Sequence, residues 1–174
     1  MITPSERLEI ESAISLLESK YKREDLRAYC PMQVRKYCQL QLGQLNHEAF
    51  GMLKLDAEGS LIEYKQIFRG SVDKAVVHPR EVLVEAIDGV ASSIIICHNH
   101  PSGNVKPSRE DMEVTEKLTM LLYNVGIKLV DHIVVSSIDT YSFAQSGILP
   151  DPLQLNTKKR FRSRHYTNLA AHEH

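Results

Sequence analysis

The sequence is poor in the features that mark several large protein classes. No stretch approaches the roughly 18 consecutive apolar residues that suggest a membrane-spanning helix. The start, Met1-Ile2-Thr3-Pro4-Ser5-Glu6, lacks the basic opening and apolar block of a secretory leader. Three cysteines, Cys30, Cys38 and Cys97, form no framework of paired spacings and no CxxC. This argues against a disulfide scaffold and fits a reducing cytoplasm. There is no HExxH and no Pro-Cys-x-x-Cys, so neither the helical zinc-protease pattern nor that of a zinc deaminase is present. No internal repeat is visible.

What remains is the composition of an ordinary globular protein: 174 residues, 43% hydrophobic and 25% charged. That length suits one domain, able to bury a core without cross-links. The net charge of −1 is unevenly spread. Residues 151–174 carry five basic residues (Lys158, Lys159, Arg160, Arg162, Arg164) against Asp151 and Glu173, a net +3. The preceding 150 residues therefore sum to −4. The basic run 158–165, with Phe161 inside it, can pair with phosphates and stack on a base, which makes it a candidate DNA contact. A solvated tail is the simpler account of it.

Along the chain, Thr3-Pro4-Ser5-Glu6 reads as a helix start with a capping box. Ile10, Ile14, Leu17 and Tyr21 follow at helical spacing, and the charged stretch 20–25 ends the helix. Pro31 opens a second helix with Val34, Cys38, Leu42 and Leu45 on one stripe. Residues 50–55 and 61–68 flank Asp56-Ala57-Glu58-Gly59 as a β-hairpin. Val76-Val77 is a short extended piece. Pro79 starts a helix through Val82, Leu83, Ala86 and Ile87 that Gly89 stops. Ile94-Ile95-Ile96 has the continuous β-branched character of a strand buried on both faces. A loop follows, then a helix from Ser108 to about Asn124, a strand over 127–135 and a short strand over 140–144. Strands alternating with helices predict an α/β fold, a mixed β-sheet flanked by helices. The expected organisation is an N-terminal helical appendage (1–45), a main domain (46–150) and a basic, flexible tail (151–174).

Chemistry concentrates in Cys97-His98-Asn99-His100-Pro101-Ser102-Gly103, followed by Pro107-Ser108-Arg109-Glu110-Asp111. On an extended chain, side chains two apart point the same way. His98 and His100 can therefore address one ion, while Cys97 and Asn99 point elsewhere and Cys97 reads as a core thiol. Asp111 falls in the first turn of a helix and faces back toward the loop. Imidazoles and a carboxylate are the donors a catalytic zinc takes, three such ligands leaving a fourth position open. Ser108-x-x-Asp111 is at the same time an acceptable capping box. The two readings are compatible.

The spacing resembles the JAMM metalloprotease motif of the JAB/MPN family. The wider text, Val77-His78-Pro79-Arg80-Glu81 and then His98 to Gly103, is similar to the bacterial RadC family within it. Asp131-His132-Ile133 and Tyr141-Ser142-Phe143 look like that family's C-terminal stretches. The similarity runs from about Glu48 to Leu149, as in a short form without the N-terminal helical domain of longer RadC proteins. The resemblance implies a three-layer, cytidine-deaminase-like sheet. It implies one zinc ion per chain on His98, His100 and Asp111, with water in the fourth position. It also implies a glutamate from an early strand as general acid/base, a position that Glu48 matches. Glu81 is the competing carboxylate. The implied reaction is hydrolysis of a peptide or isopeptide bond in a protein or peptide substrate, with Ser108 helping to stabilise the oxyanion. The alternative is a DNA-repair or recombination protein that binds DNA or a partner without turnover. Ser102, His78 and His132 are candidates for the groove or for support of the ligands. His172-x-His174 is a second, terminal pair able to take up stray metal.

Overall fold

The computed structural model describes residues 3–21, 30–70, 77–88 and 90–157. The basic run 158–165, the terminal histidine pair, Val76 and Gly89 lie outside these residues. Helix α1 (Pro4–Tyr21) begins at its capping box. The Glu6 carboxylate accepts from the Thr3 amide and hydroxyl, each at 2.8 Å, and the Glu6 amide donates to the Thr3 hydroxyl at 3.3 Å. Helix α2 (Pro31–Leu42) opens at its proline and buries Val34, Tyr37, Cys38 and Leu42. Leu45 lies past the helix end but packs against the same cluster.

The hairpin forms as its pattern requires, from β1 (Ala49–Leu55) and β2 (Leu61–Arg69). Asp56 holds the turn: its carboxylate accepts from the Ser60 amide at 2.7 Å and its carbonyl from Gly59 at 3.1 Å. Then come α3 (Pro79–Asp88), β3 (Ser93–Asn99), α4 (Arg109–Asn124), β4 (Lys128–Val135) and β5 (Thr140–Ser142). Residues 152–157, expected to be flexible, form a short helical segment. Among the described residues, no helix is long and apolar enough to cross a membrane.

The sheet order is β2-β1-β3-β4-β5. Among the described residues, β3 and β4 form the one parallel pair; the other pairs are antiparallel. Parallel strands need a long crossover, and α4 supplies it. Alternation along β3 then divides the core. Ile95 and Cys97 pack with Val34, Tyr37, Cys38 and Leu42 of α2. Ile94 and Ile96 pack with Val82 and Ala86 of α3 and Leu118 and Leu122 of α4. The result is the expected three layers, helix, sheet and helices, which is why β3 is apolar without alternation. His98 continues the α3/α4 face, whereas Cys97, fully buried, and Asn99 belong to the α2 side by alternation.

Candidate metal centre

The site lies where β3 ends and α4 begins, the crevice at the carboxyl end of parallel strands where open α/β sheets place ligands. The His100 amide still donates to the Val135 carbonyl (2.9 Å), so β3 stays in register with β4 through the second histidine. The chain then turns, with the Gly103 amide donating to the His100 carbonyl at 3.0 Å. Gly103 has φ +85°, a conformation that favours glycine. Residues 104–108 return the chain to the site, and Ser108 caps α4 in a complete capping box with Asp111.

This brings three side chains to one point. His98 Nε2 is 3.0 Å from His100 Nε2. Asp111 Oδ1 is 3.1 Å from His98 Nε2, and Oδ2 is 3.5 Å from His100 Nε2. A tetrahedral ion with bonds of about 2.0–2.1 Å would hold its donors roughly 3.3 Å apart. Two imidazole lone pairs facing each other at this distance require a proton or a cation between them. The set is therefore sized and charged for a metal ion, and among the described residues this cluster satisfies the geometry of one.

Each ligand is oriented by what lies behind it. His100 Nδ1 donates to the Asn104 carbonyl at 2.7 Å, leaving Nε2 as the lone pair facing the site. His98 Nδ1 is 2.8 Å from Nε2 of His132, which is wholly buried. His132 Nδ1 is 2.6 Å from the Thr115 hydroxyl, which itself bonds the carbonyl of Asp111. One polarity satisfies every group: His98 Nδ1–H to His132, His132 Nδ1–H to Thr115, and Thr115 O–H to the Asp111 backbone. The chain closes from His98 to the backbone of Asp111 and leaves His98 Nε2 unprotonated, toward the point where the three donors converge. Phe143 stacks on His132 (4.6 Å) and Phe50 on His98 (6.3 Å), so both rings are held by packing as well.

The charges follow from this geometry. Burial pushes the Asp111 carboxyl up, but the His100 and His98 imidazoles and the Ser108 hydroxyl beside it hold it well below the usual carboxylate range. The bond to Asp111 raises His100 against the opposing effect of burial, with the Asn104 carbonyl and the Asp111 and Glu48 charges adding to it. A proton on His100 Nε2 would lie where a cation would, between that nitrogen and the Asp111 carboxylate. Burial pushes His132 well below its ordinary value, which fits a neutral relay.

These groups open on a cavity of about 640 Å³ whose lining includes Glu48, Phe50, His98, His100, Ser108 and Asp111. Ser102 is exposed at its rim. Ser108 lines the cavity, yet its hydroxyl donates to Asp111 Oδ2 at 2.7 Å, so serving a substrate oxygen requires exchange of that bond. Glu81 is exposed on the first turn of α3, outside the lining residues. His78 is also outside them: its carbonyl starts α3 and its ring packs edge-on against Phe68. Sequence reasoning missed Thr115, Phe50, Phe143 and the contacts of Asn99. A hydroxyl one turn after Asp111 was the available signal for Thr115; the others depend on strand pairing.

A mixed sheet covered on both faces, with two strand-end histidines and a helix-start aspartate on one metal-sized point, defines an α/β domain of the JAB/MPN class. Within it, the chain belongs to the RadC-like JAB domain family, whose model matches residues 28–148 and so includes α2. Over 140 residues the chain is 41% identical to a UPF0758 protein of Vibrio cholerae, covering 80% of this chain and 87% of that one. Over 148 residues it is 34% identical to UPF0758 protein YkfG of Escherichia coli K12, covering 85% and 94%. A UPF0758 protein of Paracidovorax citrulli is 40% identical over 140 residues, but there the match covers 59% of the relative. Against several such longer relatives the chain spans about half their length. These names assign no activity.

Proposed function

We propose that this domain is a zinc-dependent hydrolase of the JAMM type, cleaving a peptide or isopeptide bond. The observation that carries the reading is that Glu48 shares one open cavity with three converging donors, His98, His100 and Asp111. Two neutral imidazoles and one carboxylate suit zinc and leave a coordination position for water. The bound ion would lower the pKa of that water to about 7 and polarise a carbonyl oxygen. Glu48 accepts the proton of the attacking water and delivers it to the leaving nitrogen. Ser108, once its hydroxyl leaves Asp111, supplies a hydrogen bond to the developing oxyanion.

The test is a proteome-derived peptide library incubated with the zinc-loaded chain, its terminal His172-x-His174 removed to prevent stray binding. His98→Ala and Asp111→Ala should each lose the bound zinc, whereas Glu48→Gln should retain it and slow cleavage by roughly 10²–10⁴-fold. Glu81→Gln should cleave like the parent. A parent without stoichiometric metal sinks the reading; a dead Glu81→Gln beside an active Glu48→Gln overturns the assignment of the base.

A further inference from the structure

Asn99 lies between the two histidines, but strand alternation turns it to the other side of the sheet, where it is 1% exposed. Its amide is spent on one segment of chain. Oδ1 accepts the Ala49 amide at 2.7 Å, while Nδ2 donates to the His47 carbonyl at 2.9 Å and the Leu45 carbonyl at 3.3 Å. These bonds flank Glu48 on both sides. The Glu48 carbonyl in turn accepts from the Gly70 amide at 2.8 Å. Glu48 precedes the first residue of β1, at the end of the strand, where local opening costs least.

The register explains what this achieves. Phe50 pairs with His98 across β1 and β3. Carried two residues further, the same antiparallel register sets Glu48 opposite His100, on the cavity face. We infer that Asn99 is a positioning residue: it fixes the backbone on both sides of Glu48 and so holds that carboxylate beside the metal ligands. An amide is the side chain of this size that offers an acceptor and two donors at once. Aspartate lacks the donors, and serine or threonine has only one. The inference rests on the proposed role of Glu48 as proton carrier, and it connects that base to the strand bearing two of the ligands. Asn99 itself touches neither the ion nor the substrate.

The experiment compares the full chain with Asn99→Ala, Glu48→Gln and the double variant, each loaded with zinc and tested on the peptide library. Asn99→Asp, which keeps the side-chain shape, stands in if Asn99→Ala does not fold. A misplacement on the order of 1 Å costs about 10²-fold in rate. Asn99→Ala should therefore lower kcat by about 10- to 100-fold, with KM within about twofold and one zinc per chain retained. The Ala49 amide should exchange with solvent faster, and the double variant should be no slower than Glu48→Gln, because Asn99 acts only through Glu48. Loss of metal in Asn99→Ala, an unchanged kcat, or an additive double variant overturns the inference. If the parent cleaves nothing, the hydrolase reading fails separately, and cobalt(II) bound in place of zinc decides the tether. Matching shifts of the cobalt absorption in Asn99→Ala and Glu48→Gln support it. A parental spectrum in Asn99→Ala, or a shift unlike that of Glu48→Gln, overturns it.

Discussion

Replacing Thr115 with valine isolates the relay behind His98. The side chain is fully buried, and the change removes one oxygen while preserving shape and nearly preserving helix propensity. His132 Nδ1 then faces a methyl group. If it keeps its proton, a buried donor is left without a partner, at about 1–3 kcal/mol. If the proton moves to Nε2, His98 Nδ1 must become the acceptor, and its own proton passes to Nε2, where the metal should bind. The metal-free variant escapes into this second tautomer; metal binding forces it back. Zinc affinity should therefore fall by the cost of the unsatisfied donor, between about fivefold and about 150-fold. No ligand is touched, and His100 and Asp111 keep their own partners. Competition with a chromophoric chelator at neutral pH measures the change. Affinity within twofold of the parent would refute the relay, because it would show that His98 holds its tautomer without Thr115.

Zinc uptake should be linked to pH through His100. Its value in the folded, metal-free chain is raised above the ordinary 6.5, so binding should release a proton there. Affinity should climb by about one decade per pH unit until that group is neutral, then flatten; calorimetry in buffers of different ionisation heat counts the protons. The same groups shape the stability of the metal-free fold. His100, raised, contributes fully below 6.5 and loses its contribution as pH rises through its folded value. Asp111, depressed, contributes above 3.8 and loses its contribution as pH falls. Thermal melts of metal-free protein should accordingly show these two groups supporting the fold most strongly between those values, and His100→Ala should flatten the upper side. At Gly103 an added Cβ meets nothing within 4 Å, so the cost of Gly103→Ala is conformational. It should be about 1–2 kcal/mol, a fall in Tm of roughly 2–8 °C by differential scanning.

Much of the fold was legible because its causes are local. The Thr3–Glu6 and Ser108–Asp111 boxes start α1 and α4 through bonds three residues long. The β1–β2 hairpin follows from a short turn between two extended runs, and Ile94-Ile95-Ile96 has the composition of a strand covered on both sides. The family match begins at residue 28, ahead of Glu48, and so takes in α2, whose Val34, Tyr37, Cys38 and Leu42 lie in the core. The packing partners of that helix are strands distant in sequence, which periodicity alone does not identify.

For the candidate site, the chain by itself determined which residues can be ligands. A two-residue spacing on an extended strand places His98 and His100 on one face, and a first-turn carboxylate points Asp111 back to them. The choice of protonation state for those rings belongs to the tertiary structure. His132 reaches His98 only because β3 and β4 pair in parallel, with Ile96 opposite His132, and Thr115 reaches His132 only because α4 crosses over that pair. The same holds for Glu48, which antiparallel pairing of β1 with β3 brings to the cavity of His100, its flanking backbone bonded to Asn99, about fifty residues away. Donor identity and strand parity are properties of the chain; the direction in which each imidazole carries its proton, and which glutamate faces the cavity, are properties of the packed sheet.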